Sequence, residues 1–296
     1  MCRGFPMLVA TSKYQAYGND FLVLRETDVP PDKRERWTVL LCRRNEGVGA
    51  DGCVFVAPRV EGGWVFHVFN QDGGEAEMSG NGLRCAGAFL LHRGLAVANV
   101  LEFETGSGRR SLELLDQRYP EWVFRGEMGR PSFEPSALPF VGPCRTREGR
   151  PTEAEIEIDG ERLQVLLLSM GNPQAVVILD HLPEDAEFQR WGRALATHPS
   201  FPRQTNVSFV EVGDVHSVRA RIWERGVGPT WSSGTGCCGA AVAAVACGLV
   251  QSPVTVQTDG GAQTVEWSPG GSVFLTGSVR FVADVFWENG EIGEIE

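Results

Sequence analysis

Residues 75–85 read EAEMSGNGLRC and residues 230–238 read TWSSGTGCC. Each is a small, polar, glycine-rich turn that runs into an apolar stretch. The first apolar stretch predicts a helix over 83–92, stopped by Gly94; the second predicts one over 236–247, stopped by Gly248. Glycine just past a helix end takes the left-handed conformation that closes the helix. A glycine-rich turn at a helix start leaves backbone N–H groups unpaired, and the helix dipole adds positive charge there. Each start is therefore an anion site. Two of them in one chain suggest two helix ends facing one small anion, such as a carboxylate.

Both helices carry small or apolar residues on nearly every side, as in CAGAFL at 85–90 and AAVAAVA at 240–246. A helix that is apolar all round is buried. Strands are predicted around each one. In the first half, residues 13–24 turn at Gly18-Asn19-Asp20, and strands follow at 53–57, 64–70, 100–105, 110–115 and 122–127. In the second half, 153–158 and 161–169 form a hairpin, a turn at Gly171-Asn172 parallels the one at Gly18-Asn19, and strands follow at 175–179, 207–212 and 217–224. Further amphipathic helices are expected at 30–42 and 184–197. The fold class expected is α+β, with two pseudo-symmetric domains, each a curved sheet or barrel wrapped around its apolar helix. The cleft separating them would collect the loops and hold the active site. The Pro- and Gly-rich stretch around 128–139 marks the boundary. The domains expected are 1–129, with strands from about 277–296 returning to it, and 130–276.

A chain of 296 residues exceeds one ordinary core, which agrees with two domains. A net charge of −11 argues against a general nucleic-acid partner. No apolar run reaches membrane-spanning length, and the start, MCRGFP, lacks a signal-peptide core. The eight cysteines do not look like a disulfide framework. Most sit in apolar or helical settings, where free Cys packs as a small hydrophobe. That implies a reducing, cytoplasmic location. No C-x-x-C pair or His cluster supports a metal site.

The residues resemble a known family, the cofactor-independent (PLP-independent) diaminopimelate epimerases, over nearly the whole chain. The landmarks are YGNDF at 17–21, GVGAD at 47–51, FNQDG at 69–73, EMSGNG at 77–82, MGNP at 170–173, RQTN at 203–206, ERG at 224–226 and SGTG at 233–236. The resemblance implies that Asn19, Asn70, Asn172, Asn206, Glu224 and Arg225 hold the distal amino and carboxylate groups of a diamino diacid. It implies that Gly80-Asn81 and Gly234-Thr235 hold the reacting α-carboxylate. The partner implied is a small amino-acid substrate, with no cofactor, nucleic acid or membrane, and a homodimer left open.

The family's acid/base pair is two cysteines, and the positions that match them are Ser79 and Ser233. The family's histidine after Gly-Asn-Pro is Gln174, and the glutamine usual after the glycine turn is Gly52. Inversion at Cα needs a base on one face and an acid on the other. A helix start lowers a thiol pKa to about 3.5–7.5. It cannot do the same for a hydroxyl, which becomes a base only with a partner. Three readings stand. The chain is a double Cys→Ser form of an ordinary epimerase that holds substrate. It is a natural relative with different chemistry, such as a lyase, dehydratase or isomerase of a related amino acid. Or it is an amino-acid-binding protein that has lost catalysis. Beside these stands a plain reading of Ser79 and Ser233 as helix N-caps, and of Cys237 and Cys238 as packing residues.

Overall fold

The computed structural model describes residues 7–289. The described residues divide into two compact units, one made of residues up to 124 and from 278 on, and the other of 125–277. Each is mixed α+β, with strands surrounding a central apolar helix.

The first unit runs β1 (Met7–Ala16), β2 (Asn19–Arg25), α1 (Arg34–Cys42), β3 (Gly52–Pro58), β4 (Trp64–Asn70), the short β5 (Glu75–Ala76), α2 (Gly80–His92), β6 (Val100–Thr105), β7 (Gly108–Arg118) and the start of β8 (Glu121–Gly129). The second runs through β9 (Cys144–Arg145), β10 (Thr152–Ile158), β11 (Glu161–Ser169), β12 (Pro173–Leu179), α3 (Asp185–Ala196), β13 (Asn206–Asp214), β14 (Ser217–Glu224), β15 (Gly228–Thr230), α4 (Gly234–Ala246), β16 (Val254–Thr258), β17 (Gly261–Glu266) and the start of β18 (Val273–Asn289). The later residues of β18 belong to the first unit and pair antiparallel with β1, Val9 opposite Trp287 and Gln15 opposite Arg280.

The two units share one connectivity. In the first, β1–β2 is antiparallel, β2–β3 parallel, β3–β4 antiparallel, β4–β6 parallel and β6–β7 antiparallel. In the second, β11–β12, β12–β13, β13–β14, β14–β16 and β16–β17 repeat that order. Parallel neighbours need a crossover, and every crossover carries a helix: α1 and α2 in one unit, α3 and α4 in the other.

The strand sequences follow from this layering. FLVL at 21–24 and CVFV at 53–56 are apolar without alternation because both sheet faces are covered. Leu22, Leu24, Cys53 and Phe55 pack with Trp37 and Leu41 of α1, while Phe21, Val23, Val54 and Val56 pack with α2. The second unit divides in the same way. Ala175, Val177, Val207 and Phe209 join Phe188 and Trp191 of α3, while Val176 and Val210 join α4. Residues 81–90 of α2 and 236–244 of α4 are all buried, as an all-round apolar surface requires.

The helices expected at 83–92 and 236–247 begin two or three residues earlier, at Gly80 and Gly234. The glycines of the two loops are the first helical turns rather than turns ahead of them. The helix expected at 30–42 is a single 3₁₀ turn, Pro31–Lys33, followed by α1.

Candidate active site

Both central helices start on a serine in extended conformation. Ser79 has φ −136° and ψ 121°, and its Oγ accepts the N–H of Gly82 at 3.1 Å. Ser233 has φ −133° and ψ 127°, and its Oγ accepts the N–H of Gly236 at 3.3 Å. The next N–H groups, of Leu83 and Cys237, bond the carbonyls of Ser79 and Ser233 at 2.8 Å. The N–H groups of Gly80 and Asn81, and of Gly234 and Thr235, keep no partner among the described residues. Two successive open donors at the positive end of a helix form a carboxylate cradle. A side chain at position 82 or 236 would press on the serine: a Cβ would stand 3.2 Å from the Cβ of Ser79 or Ser233. The serines are thus helix caps, and the same geometry that makes them caps opens the anion site.

In the first unit the cradle is tied to a chain of polar side chains. Arg84, on the first turn of α2, is 3% exposed and donates through Nη2 to Asn81 Oδ1. Asn81 Nδ2 donates to Asn19 Oδ1 at 3.2 Å, and Asn19 Nδ2 to Asp51 Oδ2 at 2.7 Å. Asp51 also accepts from Arg44 at 2.7 Å, and Asp20 receives Arg44 and Lys13. Burial works to raise the Asp20 carboxyl, but the hydrogen bonds from Arg44 and Lys13 outweigh it and hold it below the ordinary range. Asn70 ends β4 with an exposed side chain. At Gly52, where the sequence departs from the resemblance, a Cβ would stand 2.4 Å from the carbonyl oxygen of Phe69 and 3.1 Å from the Phe21 ring. No longer side chain enters without moving backbone.

In the second unit Ser233 is 6% exposed, and Glu224, at the end of β14, lies beside it. Burial raises the Glu224 carboxyl above its ordinary pKa; hydrogen bonds from Thr230 and Ser233 pull it back only in part. A carboxyl neighbour for Ser233 was not visible in the sequence, where the two stand nine positions apart. Thr235 Oγ1 is within 3.3 Å of Asn172 Nδ2, and Asn172 Oδ1 accepts from Gln174 Nε2 at 2.7 Å. Gln174 is 1% exposed, lies against Gly239 of α4 and leaves its Oε1 without a partner. Asn206 is occupied in local structure: Nδ2 bonds the Pro173 carbonyl and Oδ1 accepts the N–H of Arg225. The Arg225 side chain is exposed.

No histidine bonds either serine. His67 is held by Glu75 and Glu26, and His216 by the Gln251 carbonyl. Cys85, Cys237 and Cys238 are fully buried packing residues. Among the described residues no cluster of three or more His, Cys, Asp or Glu could hold a metal.

Solved structures share this fold. A PhzF-family phenazine biosynthesis protein of Bacillus anthracis superposes with a TM-score of 0.68 at 15% identity, covering 95% of this chain and 99% of that one. A hydroxyproline epimerase of Agrobacterium vitis, with bound trans-4-hydroxy-L-proline, gives 0.63 at 18% identity, covering 95% and 93%. These likenesses define the class of fold. Sequence goes further: the profile of the diaminopimelate epimerase family matches residues 11–134 and 166–282. The diaminopimelate epimerase of Desulforudis audaxviator is 40% identical over 279 residues, covering 93% of this chain and 98% of its own length. That of Pelotomaculum thermopropionicum is 37% identical over 273 residues, covering 92% and 96%. The chain belongs to the diaminopimelate epimerase family.

Proposed function

We propose that this protein is an isomerase that moves the α-proton of 2,6-diaminopimelate or a close amino acid without a cofactor. Ser79 and Ser233 stand where the resemblance places the two proton-transfer groups. The observation that carries the reading is the pair of serine-capped helix starts, each with two open N–H groups. Such donors stabilise the negative charge that develops on a carboxylate as its Cα loses a proton. Gly80, Asn81, Gly234 and Thr235 supply them, while Asn19, Asn70, Asn172, Asn206 and Arg225 are assigned to the distal amino and carboxylate groups; Glu224, which the resemblance also puts there, is assigned to proton transfer because of its place beside Ser233. Ser233 acts with Glu224, a carboxyl whose raised pKa suits it to hold and release a proton. The compartment in this reading is the cytoplasm, and the assembly to test is a homodimer.

The two serines are not equally equipped, and this favours a second reading. Ser233 has Glu224 beside it; the Ser79 hydroxyl bonds only the N–H of Gly82 among the described residues. One working base permits proton abstraction from one face, followed by elimination or isomerisation of a substituted amino acid.

The test is NMR of LL- and meso-diaminopimelate in deuterated buffer with the protein. Loss of the α-proton signal together with interconversion of the isomers supports the first reading. Exchange without interconversion supports one-base chemistry. Broadened ligand lines with an intact α-proton identify a binder, and no effect at all rejects diaminopimelate as the ligand.

A further inference from the structure

The polar chain in the first unit ends in two groups of opposite character. A guanidinium has hydrogen-bond donors only; an ionised carboxylate has acceptors only. Arg84 therefore forces the oxygen of Asn81 toward itself, and Asp51 forces the NH2 of Asn19 toward itself. The bond joining the two amides, Asn81 Nδ2 to Asn19 Oδ1, runs in the one direction consistent with both ends. Amide orientation is ordinarily ambiguous, and here chemistry removes the ambiguity. Each amide has spent one N–H and kept one.

We propose that Arg84 and Asp51 are positioning residues that lock Asn81 and Asn19 as hydrogen-bond donors, so that these two asparagines select a carboxylate on the ligand over an ammonium or a neutral amide. The inference rests on the reading that Asn19 and Asn81 touch the substrate. It adds which chemical group they take and what sets their preference. Burial of Arg84 at 3% exposure gives the lock strength, because a desolvated charge forms the stronger hydrogen bond. Asp51 is held in turn by Arg44 and by the N–H of Asp20 at 3.0 Å, so it cannot turn away.

The test compares diaminopimelate with the analogues in which one carboxylate is a carboxamide, titrated by calorimetry into the full-length protein and into three variants. Asp51→Asn and Arg84→Gln each replace a one-way group by an amide that gives or accepts, which frees the neighbouring asparagine to rotate. Arg84→Lys keeps donor character. The unmodified protein is expected to prefer the dicarboxylate by about ten-fold or more, the worth of one charge-assisted hydrogen bond. Asp51→Asn and Arg84→Gln shrink that ratio, and Arg84→Lys restores it. An unchanged ratio in folded Asp51→Asn and Arg84→Gln overturns the lock. Failure of every ligand to bind the unmodified protein rejects the substrate reading instead. The lock is then judged on the ligand-free protein by side-chain amide NMR. Asp51→Asn should move the Asn19 NH2 resonances upfield, as a charge-assisted bond is lost. Unmoved Asn19 resonances overturn it.

Discussion

The starts of α2 and α4 are built alike and surrounded differently. Cap dihedrals agree within a few degrees, the cap oxygens take the same third N–H, and each start leaves two donors open. Around α2 the neighbours are ionised and locked into a directional chain from Arg84 to Asp51. Around α4 the neighbour is a half-buried carboxyl whose charge is disfavoured. One local motif thus gives both units the same pair of open donors, while the groups behind it differ; in the proposed function those groups decide whether protons also move there.

The sharpest way to break this comparison is Glu224→Gln. If Glu224 is the proton-holding group, α-deuterium exchange falls by about 10²–10⁴-fold, the usual weight of an acid/base group. Ser79→Ala then costs much less exchange than Glu224→Gln. Equal losses would show the two starts to be chemically equivalent. Introducing thiols, Ser79→Cys with Ser233→Cys, should raise LL-to-meso interconversion, since helix starts turn thiols into thiolates near neutral pH. An unchanged rate would move the explanation to Gln174 and Gly52.

Stability separates the units next. Gly52→Gln should cost about 3 kcal/mol in chemical denaturation, because the added Cβ meets the Phe69 carbonyl. Removing the caps is milder: Ser79→Ala should cost about 1 kcal/mol, the typical worth of an N-cap. Ser233→Ala should cost more than Ser79→Ala, as it also removes a polar neighbour of the half-buried Glu224 carboxyl. Equal costs would mean that the nearness of Glu224 adds nothing.

The smallest effects are in pH dependence, and their signs oppose. Asp20 titrates below its ordinary 3.8, so its stabilisation is present above that value and is lost as pH falls through the lowered pKa. Glu224 titrates above its ordinary 4.5, so its contribution is full below 4.5 and is lost as pH rises through the raised pKa. Denaturation midpoints of Asp20→Asn should therefore approach those of the unmodified protein in acid. Those of Glu224→Gln should gain on it toward neutral pH.

The strand-and-helix plan was legible because it lies in unbroken local patterns: FLVL, CVFV and the two alanine- or cysteine-rich helices. Helix starts were misplaced because glycine is a poor helix former, although in a first turn it serves close packing against the cap. Arg84 went unread for a similar reason. A lone cation inside an apolar run suggests an exposed position, and only folding shows that Asn81 and the Tyr17 ring receive it. The nearness of Ser233 to Glu224 arises across a hairpin turn, and no spacing rule announces it. The serines were legible as helix caps, and the structure puts both at helix starts; their part in proton transfer is the proposal.

The pairing of β1 with β18 also sets an order of assembly. The second unit is one continuous segment, complete once residue 277 has been made. The first unit needs a strand from each end of the chain, with Val9 beside Trp287. On a ribosome adding about 5–20 residues per second, β1 emerges early and waits on the order of tens of seconds for its partner strand. During that wait its edge is open to other chains. The earlier-made half of this protein is therefore the later one to close, and it is the half that a holding chaperone would have most reason to guard.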